Sequence, residues 1–358
     1  MDAKDEPEHR PVIRKPATGY WFEDGNVVLS ADFGSAKKKG SPTELLFRVH
    51  KSQLSNHSKI FNDMFGLGDG MEQSSEMFQG VPLVHLHDSA LDVKIMLAAI
   101  YYPLTLISIF DGNAKPLAKA IMLFRMLKKY DMTELMAEFI PHLTAKWPNS
   151  LSGWDRREDH IDMVIEDAQR DEMDATQEPE VYVPKTITIT PDPVAAILFA
   201  RYFDLKGIIP VAFYDLSRLD IEDDFDDPHC SGRPAQWSAL PGLNYRSLLR
   251  GRERLIDQAR GMLRMHSQKV PNHVKACMPG CAARYSEAFV LAMRLEEGNY
   301  DILRHLRHFA SRYGGLAQDG TSHIYMQGGP CPSCCRELER GFKEVREAIW
   351  NKIPSVFR

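Results

Sequence analysis

Long apolar runs are missing from this chain. The longest, Ile95–Phe110, spans 16 residues, is interrupted by Pro103 and is bounded by Lys94 and Asp111. That is too short and too broken for a bilayer-spanning helix. The opening stretch MDAKDEPEHRPVIRKP is polar and mixed in charge, without the apolar segment a secretory signal needs. Asn56-His57-Ser58 therefore matches a glycosylation triplet in form only. Cysteine is scarce, six in 358 residues, and without an export signal this favours reduced thiols or metal ligands over a disulfide framework. Neither sign of charge dominates: 44 Lys+Arg against 49 Asp+Glu give a formal charge of −5. A protein built to coat nucleic acid or anionic membrane is excluded on that balance. The expected setting is the cytoplasm and/or nucleus, away from membrane.

Catalytic signatures are also missing. Gly34 to Gly40 contains Lys37–Lys39, but the lysines precede the second glycine and no Gly-Lys-Ser/Thr follows, so it is not a phosphate loop. Gly66-x-Gly68-x-Gly70 lacks the strand-to-helix setting of a dinucleotide fingerprint. There is no His-Glu-x-x-His and no Gly-x-Ser-x-Gly. Asp220–Asp227 is acidic but lacks the spaced ligands of a calcium loop. No internal repeat of about 20–50 residues marks a solenoid. The expectation is a non-enzymatic protein.

What is present is an ordinary globular composition, 44% hydrophobic and 26% charged, in a chain long enough for two bodies. Charge is unevenly spread. Leu151–Glu180 holds 11 Asp+Glu against 3 Arg, a net of −8, and reads as an acidic, partly disordered linker. Pro241–Arg358 holds 19 Lys+Arg against 11 Asp+Glu, a net of +8.

In the front part, Asn26–Ser30 and Leu45–Val49 are β-rich runs flanking the polar turn Gly34–Pro42, a hairpin pattern. A helix follows from about His50 with Leu54 inward. Ser58 suits the N-cap of the next, which buries Phe61, Met64 and Phe65. Pro82–His87 alternates as a third strand, and Asp88 or Ser89 caps a helix through Val93, Met96, Leu97 and Ile100 that ends at Pro103. Helices over Pro116–Met126 and Thr133–Lys146 complete a mixed unit. Behind the acidic stretch nearly everything reads as helix, beginning with Asp192-Pro193, a cap followed by proline at the first helical position. Gly207–Arg218, Asn244–His266, Ala282–Leu295, Tyr300–Tyr313 and Arg336–Ile353 follow. The fold class is α+β in front and all-α behind.

The segment Phe47-Arg48-Val49-His50-Lys51-Ser52-x-Leu54-x-x-x-Ser58-x-x-Phe61-x-x-Met64-Phe65 resembles the second strand and first two helices of a BTB/POZ domain. Asp24–Leu29, Val84-His85-Leu86-x-Asp88 and Leu97-x-x-Ile100-Tyr101 extend the likeness. Ile208–Ser217, Gly251-Arg252-Glu253-x-Leu255, and Cys331-x-x-Cys334 leading to Ile349-Trp350 and Ile353-Pro354 are similar to the rear part of an expanded fungal group of such proteins. The likeness places a BTB/POZ domain at 17–147, and with the composition it divides the chain into a disordered tail at 1–16, that domain, an acidic linker at 148–187 and a helical domain at 188–358. It also implies a homodimer with Tyr20, Trp21, Phe22, Val27, Leu29, His50 and Leu54 at the interface, and at family level an adaptor for a cullin-type ubiquitin ligase. Asn26 stands where many animal members carry aspartate, and Met71-Glu72 departs from the hydrophobic-x-Glu signature of cullin adaptors. The alternative is a transcription-linked regulator whose basic rear half contacts nucleic acid, against which stands the absence of a reading motif.

Two close cysteine pairs, Cys277-x-x-x-Cys281 and Cys331-x-x-Cys334, offer four thiolates to one structural zinc, with Cys335, His273 or His323 as substitutes. The competing reading is cysteine as small buried packing at helix ends. Four sulfurs would leave no open position for catalysis. His305 and His308 lie three apart on one helix and read as a surface pair, though they could share a ligand. His85 and His87 point to one face of a strand, and His50 reads as an oriented histidine at a helix start.

Overall fold

The computed structural model describes residues 12–33, 43–68, 76–110, 114–174, 191–224, 233–294, 300–318 and 329–357. The chain divides into two units, Met1–Ala145 and Lys146–Arg358. The first contains β1 (Ile13–Trp21), β2 (Val27–Asp32), β3 (Thr43–Val49), α1 (Lys51–His57), α2 (Lys59–Gly68), β4 (Met77–Phe78), β5 (Val81–Ser89), α3 (Ala90–Tyr101), a 3-10 stretch over Pro103–Phe110, α4 (Ala114–Lys129) and α5 (Thr133–Thr144).

These elements form a small five-stranded sheet, ordered β1-β3-β2-β5-β4, with helices around it. The run Val27–Ala31 is buried at every position, as a central strand covered on both faces requires. β3 pairs with β2 antiparallel, Leu29 opposite Phe47, and β5 pairs on the other side in parallel. Gly25 permits the approach of β3, since a Cβ there would lie 2.9 Å from Arg48 Cγ and 3.0 Å from Val49 N. Helix starts follow the sequence. Ser58 Oγ accepts from Phe61 N at 3.1 Å and donates to Tyr130 O at 2.6 Å. Ser89, rather than Asp88, caps α3 by accepting from Asp92 N. Asn26 finds its role here: its Oδ1 accepts from Lys51 N at 2.8 Å and caps α1 from the neighbouring strand.

Three expectations need correction. The tail is not structureless to residue 16, because β1 begins at Ile13 and runs parallel to β3. Its charges and Pro16 concealed it, and both are tolerated at a sheet edge. Beyond the three strands expected, the short edge strand β4 precedes Pro82 and pairs antiparallel with β5. Of the residues expected to pair two copies, Tyr20, Val27, Leu29 and Leu54 are buried inside the unit itself. They are core, each large apolar side chain contributing about 1.5–3 kcal/mol by burial; Trp21, Phe22 and His50 keep partial exposure. The Gly34–Pro42 turn and the loop positions 69–75 lie outside the described residues.

The second unit contains α6 (Leu151–Asp174), α7 (Pro193–Tyr202), α8 (Ile209–Ser217), a 3-10 turn at Trp237–Ala239, α9 (Gly242–Gln268), α10 (Asn272–Lys275), α11 (Cys281–Ala292), α12 (Ile302–Gln318) and α13 (Pro332–Val356). Asp192 caps α7 as expected, accepting from Val194 N and Ala195 N. α13 packs against α8, α9, α11 and α12. Its Phe342 ring meets Phe289, Phe309 and Tyr313 at 4.5, 5.2 and 5.9 Å. Gly251 in α9 lets Phe357 lie on the helix, where a Cβ would stand 2.2 Å from the ring. Among the described residues no helix is long and apolar enough to cross a membrane.

The acidic linker is the fourth correction. Leu151–Asp174 is a helix, with Trp154 and Ile161 buried; positions 175–187 lie outside the described residues. Its acidic residues are used pairwise: Asp155 with Arg346, Asp159 with Arg307, and Asp162 with Arg304. Glu158 turns inward to Arg157, Arg218 and Arg233. Those same arginines surround Asp215, which has no exposed surface. Trp154 lies beneath the guanidiniums of Arg157 and Arg218, 4.9 and 4.8 Å from its ring.

Candidate metal centre

The four cysteines reach one point by local turns. After α10 the chain bends so that Cys277 N donates to Val274 O and Cys281 N to Met278 O. Gly280 takes the left-handed conformation, φ +88°, that opens α11, a conformation costly for any residue with a Cβ. Cys281 is thus the first residue of one helix, and Cys331 is the N-cap of α13, followed by Pro332. Cys334 sits one turn into α13, on the side of Cys331.

The sulfurs of Cys277, Cys281, Cys331 and Cys334 all lie within 4.8 Å of one another, with Cys277 Sγ to Cys331 Sγ at 3.4 Å. A tetrahedral zinc with Zn–S of about 2.3 Å spaces its sulfurs by about 3.8 Å, so this donor set fits a metal ion. Cys281, Cys331 and Cys334 are buried and Cys277 is half-exposed. Among the described residues it is the one group of three or more His, Cys, Asp or Glu so arranged.

The electrostatics favour a shared anion. Burial pushes the Cys331 thiol up, but the Cys334 N–H and the thiols of Cys277, Cys334 and Cys281 more than reverse this, bringing it down to about 7. Cys277 is raised chiefly by its bond to Cys331, and Cys334 by burial and then by its sulfur neighbours. Two helix N-termini add favourable dipoles. Cys335 stands apart: its thiol is directed to Pro330 O, and burial raises it to about 11. His273 is an exposed residue 3.6 Å from Glu337. His323 and Cys230 lie outside the described residues.

The histidines of the first unit are individually placed. His50 Nε2 faces Asp24 Oδ1 at 3.2 Å and its Nδ1 meets the Tyr101 hydroxyl at 3.0 Å. The His50 hydrogen bond holds the Asp24 carboxyl below its usual range. His85 lies between the Ser30 hydroxyl, 2.7 Å from Nδ1, and Glu76, 2.8 Å from Nε2. Sequence reasoning missed this serine–histidine–carboxylate row, whose members lie on β2, on β5 and just before β4. Their cross-strand register was the hidden information, since Ser30 pairs with His85. Ser30 is 2% exposed in the central strand, and together with Glu44 and His85 it lines an open cleft of about 480 Å³ at the polar sheet rim. His87 is exposed. In the second unit, His305 Nε2 donates to Ala292 O at 3.0 Å, while His308 is exposed. Asp220 and Asp224 accept backbone N–H groups of Glu222 and Ser238, as turn residues do. Asp226 and Asp227 lie outside the described residues.

No family model matches the chain, and no curated protein or solved structure matches it.

Proposed function

We propose that the chain is a non-enzymatic interaction protein: a BTB/POZ-type N-terminal unit that self-associates, followed by a helical body tied by one structural zinc. The carrying observation is the four-sulfur set at the starts of α11 and α13. Four thiolates close a tetrahedral ion, leaving it no position for substrate, so its work is to join segments of chain. Supporting the first part of the reading are the element order β2-β3-α1-α2-β5-α3 and the apolar side chains the N-terminal unit exposes, with Leu104 79% open. A role as adaptor to a cullin-type ligase is the partner reading this architecture suggests.

A second reading has one observation in its favour. Arg246, Arg250, Arg254, Arg260 and Arg264 are exposed along α9 with Glu253 and Asp257 between them, a ridge suited to nucleic-acid phosphates. Binding there would weaken steeply as salt rises.

Light scattering and elemental analysis of the full chain test the main reading together. The expected mass is twice the 40.7 kDa chain, with about one zinc per chain that Cys331→Ser loses and Cys335→Ser keeps. A monomer at roughly tens of micromolar removes the self-association. Metal-free protein whose thiols titrate only on unfolding makes the cysteines packing residues.

A further inference from the structure

Apart from the metal centre, the second unit has an open cleft of about 600 Å³ along one face of α12 and the end of α11. Sites for small ligands are commonly of this size. Its walls differ in character. Leu291, 42% exposed, and Phe309 supply an apolar side. Phe309 is held in place by the tilted rings of His305 and Phe342, with centroids 5.0 and 5.2 Å away.

The charged side is unbalanced. Arg304 is already occupied by both oxygens of Asp162 at 2.6 Å. Asp301, at the back, is taken by the Tyr214 hydroxyl at 2.9 Å and by Arg218 at 2.7 Å. Arg294, His308 and Arg312 also line the cleft and are exposed. Among the described residues, their side chains have no hydrogen-bond or ion-pair partner. His308 and Arg312 are four residues apart on α12, so their side chains are neighbours and can grip one group. A guanidinium matches the forked oxygens of a phosphate, and an imidazole adds a further donor.

We propose that this cleft binds a phosphate ester carried on a flat apolar body, the nucleotide class: phosphate on Arg294, His308 and Arg312, and the flat body against Phe309 and Leu291. A bare anion would leave the apolar wall unused, and a purely apolar ligand would bury three unpaired donors.

Calorimetric titration of the full metal-loaded chain with ATP, AMP, adenosine and inorganic phosphate tests this. Expected is binding of AMP and ATP, with adenosine and inorganic phosphate each at least about tenfold weaker, since charge-assisted bonds and the apolar wall must both be engaged. His308→Asn combined with Arg312→Gln, or Arg294→Gln alone, weakens nucleotide by about tenfold or more while the unfolding temperature stays put. Arg250→Gln with Arg254→Gln on α9 leaves affinity unchanged. The proposal is overturned by any of three results: no nucleotide binding at millimolar concentration, inorganic phosphate binding as tightly as ATP, or cleft variants that bind like the parent.

Discussion

The two units keep their charge at different depths. Around the sheet of the first, Arg14, Glu44, Glu76 and His85 pair at a rim where each side chain keeps 24–49% of its surface. In the second, the side chains of Glu158, Asp215 and Arg218 retain 6%, 0% and 4%. Rim pairs sit in water and are worth about 0–1 kcal/mol. A buried pair gives little net stability when made, yet breaking it strands a charge at about 3–5 kcal/mol. The first unit should therefore tolerate loss of charge, and the second should not.

Asp215→Asn breaks the contrast hardest. Arg157, Arg218 and Arg233 would face a neutral amide, and denaturant unfolding of the second unit should lose about 3–5 kcal/mol. A loss under about 1 kcal/mol would mean that water reaches the network and that the depth difference has no consequence.

A smaller effect is expected in the first unit from Ser58→Ala, which removes both the α2 cap and the bond to Tyr130 O. Unfolding should show about 1–2 kcal/mol. Glu76→Gln stands at the bottom, with an unfolding midpoint expected to match the parent's because solvent screens the pair, although its carboxyl is held low, first by His85 and then by Arg14.

Titration sharpens the comparison. Burial pushes Asp215 up, but Arg157, Arg233 and Arg218 hold it below the carboxylate range. A depressed carboxyl contributes stability above its unfolded pKa and loses it as pH falls through the folded one. Acid should thus open the second unit, with Asp215→Asn flattening that slope. Asp192 runs the other way: burial raises it from 3.8 to about 6, so its contribution is full below 3.8 and fades as pH rises to about 6. Asp192→Asn should therefore gain on the parent between pH 4 and pH 7 in thermal unfolding.

How far the fold could be read in advance follows from where each signal was written. α13 was legible because Leu338, Phe342, Val345, Ile349 and Ile353 are buried at helical spacing, and α7 because Asp192-Pro193 announces its start. α6 was not, because its period is carried by Asp155, Glu158, Asp159 and Asp162, at i, i+3, i+4 and i+7. Read as composition, those residues signal a linker; read as spacing, they signal one face of a helix. Their partners Arg304, Arg307 and Arg346 lie more than 140 residues onward, beyond any local pattern. The four cysteines were legible as two close pairs, each confined to a single turn. That the two turns meet depends on packing among α9, α11 and α13, which no spacing records.

Zinc-edge X-ray absorption on the metal-loaded full chain tests the central claim most directly. A closed structural centre predicts four sulfur neighbours at about 2.3 Å and no nitrogen or oxygen. Three or fewer sulfurs with an oxygen or nitrogen neighbour, or a chain that takes up no zinc, would contradict it.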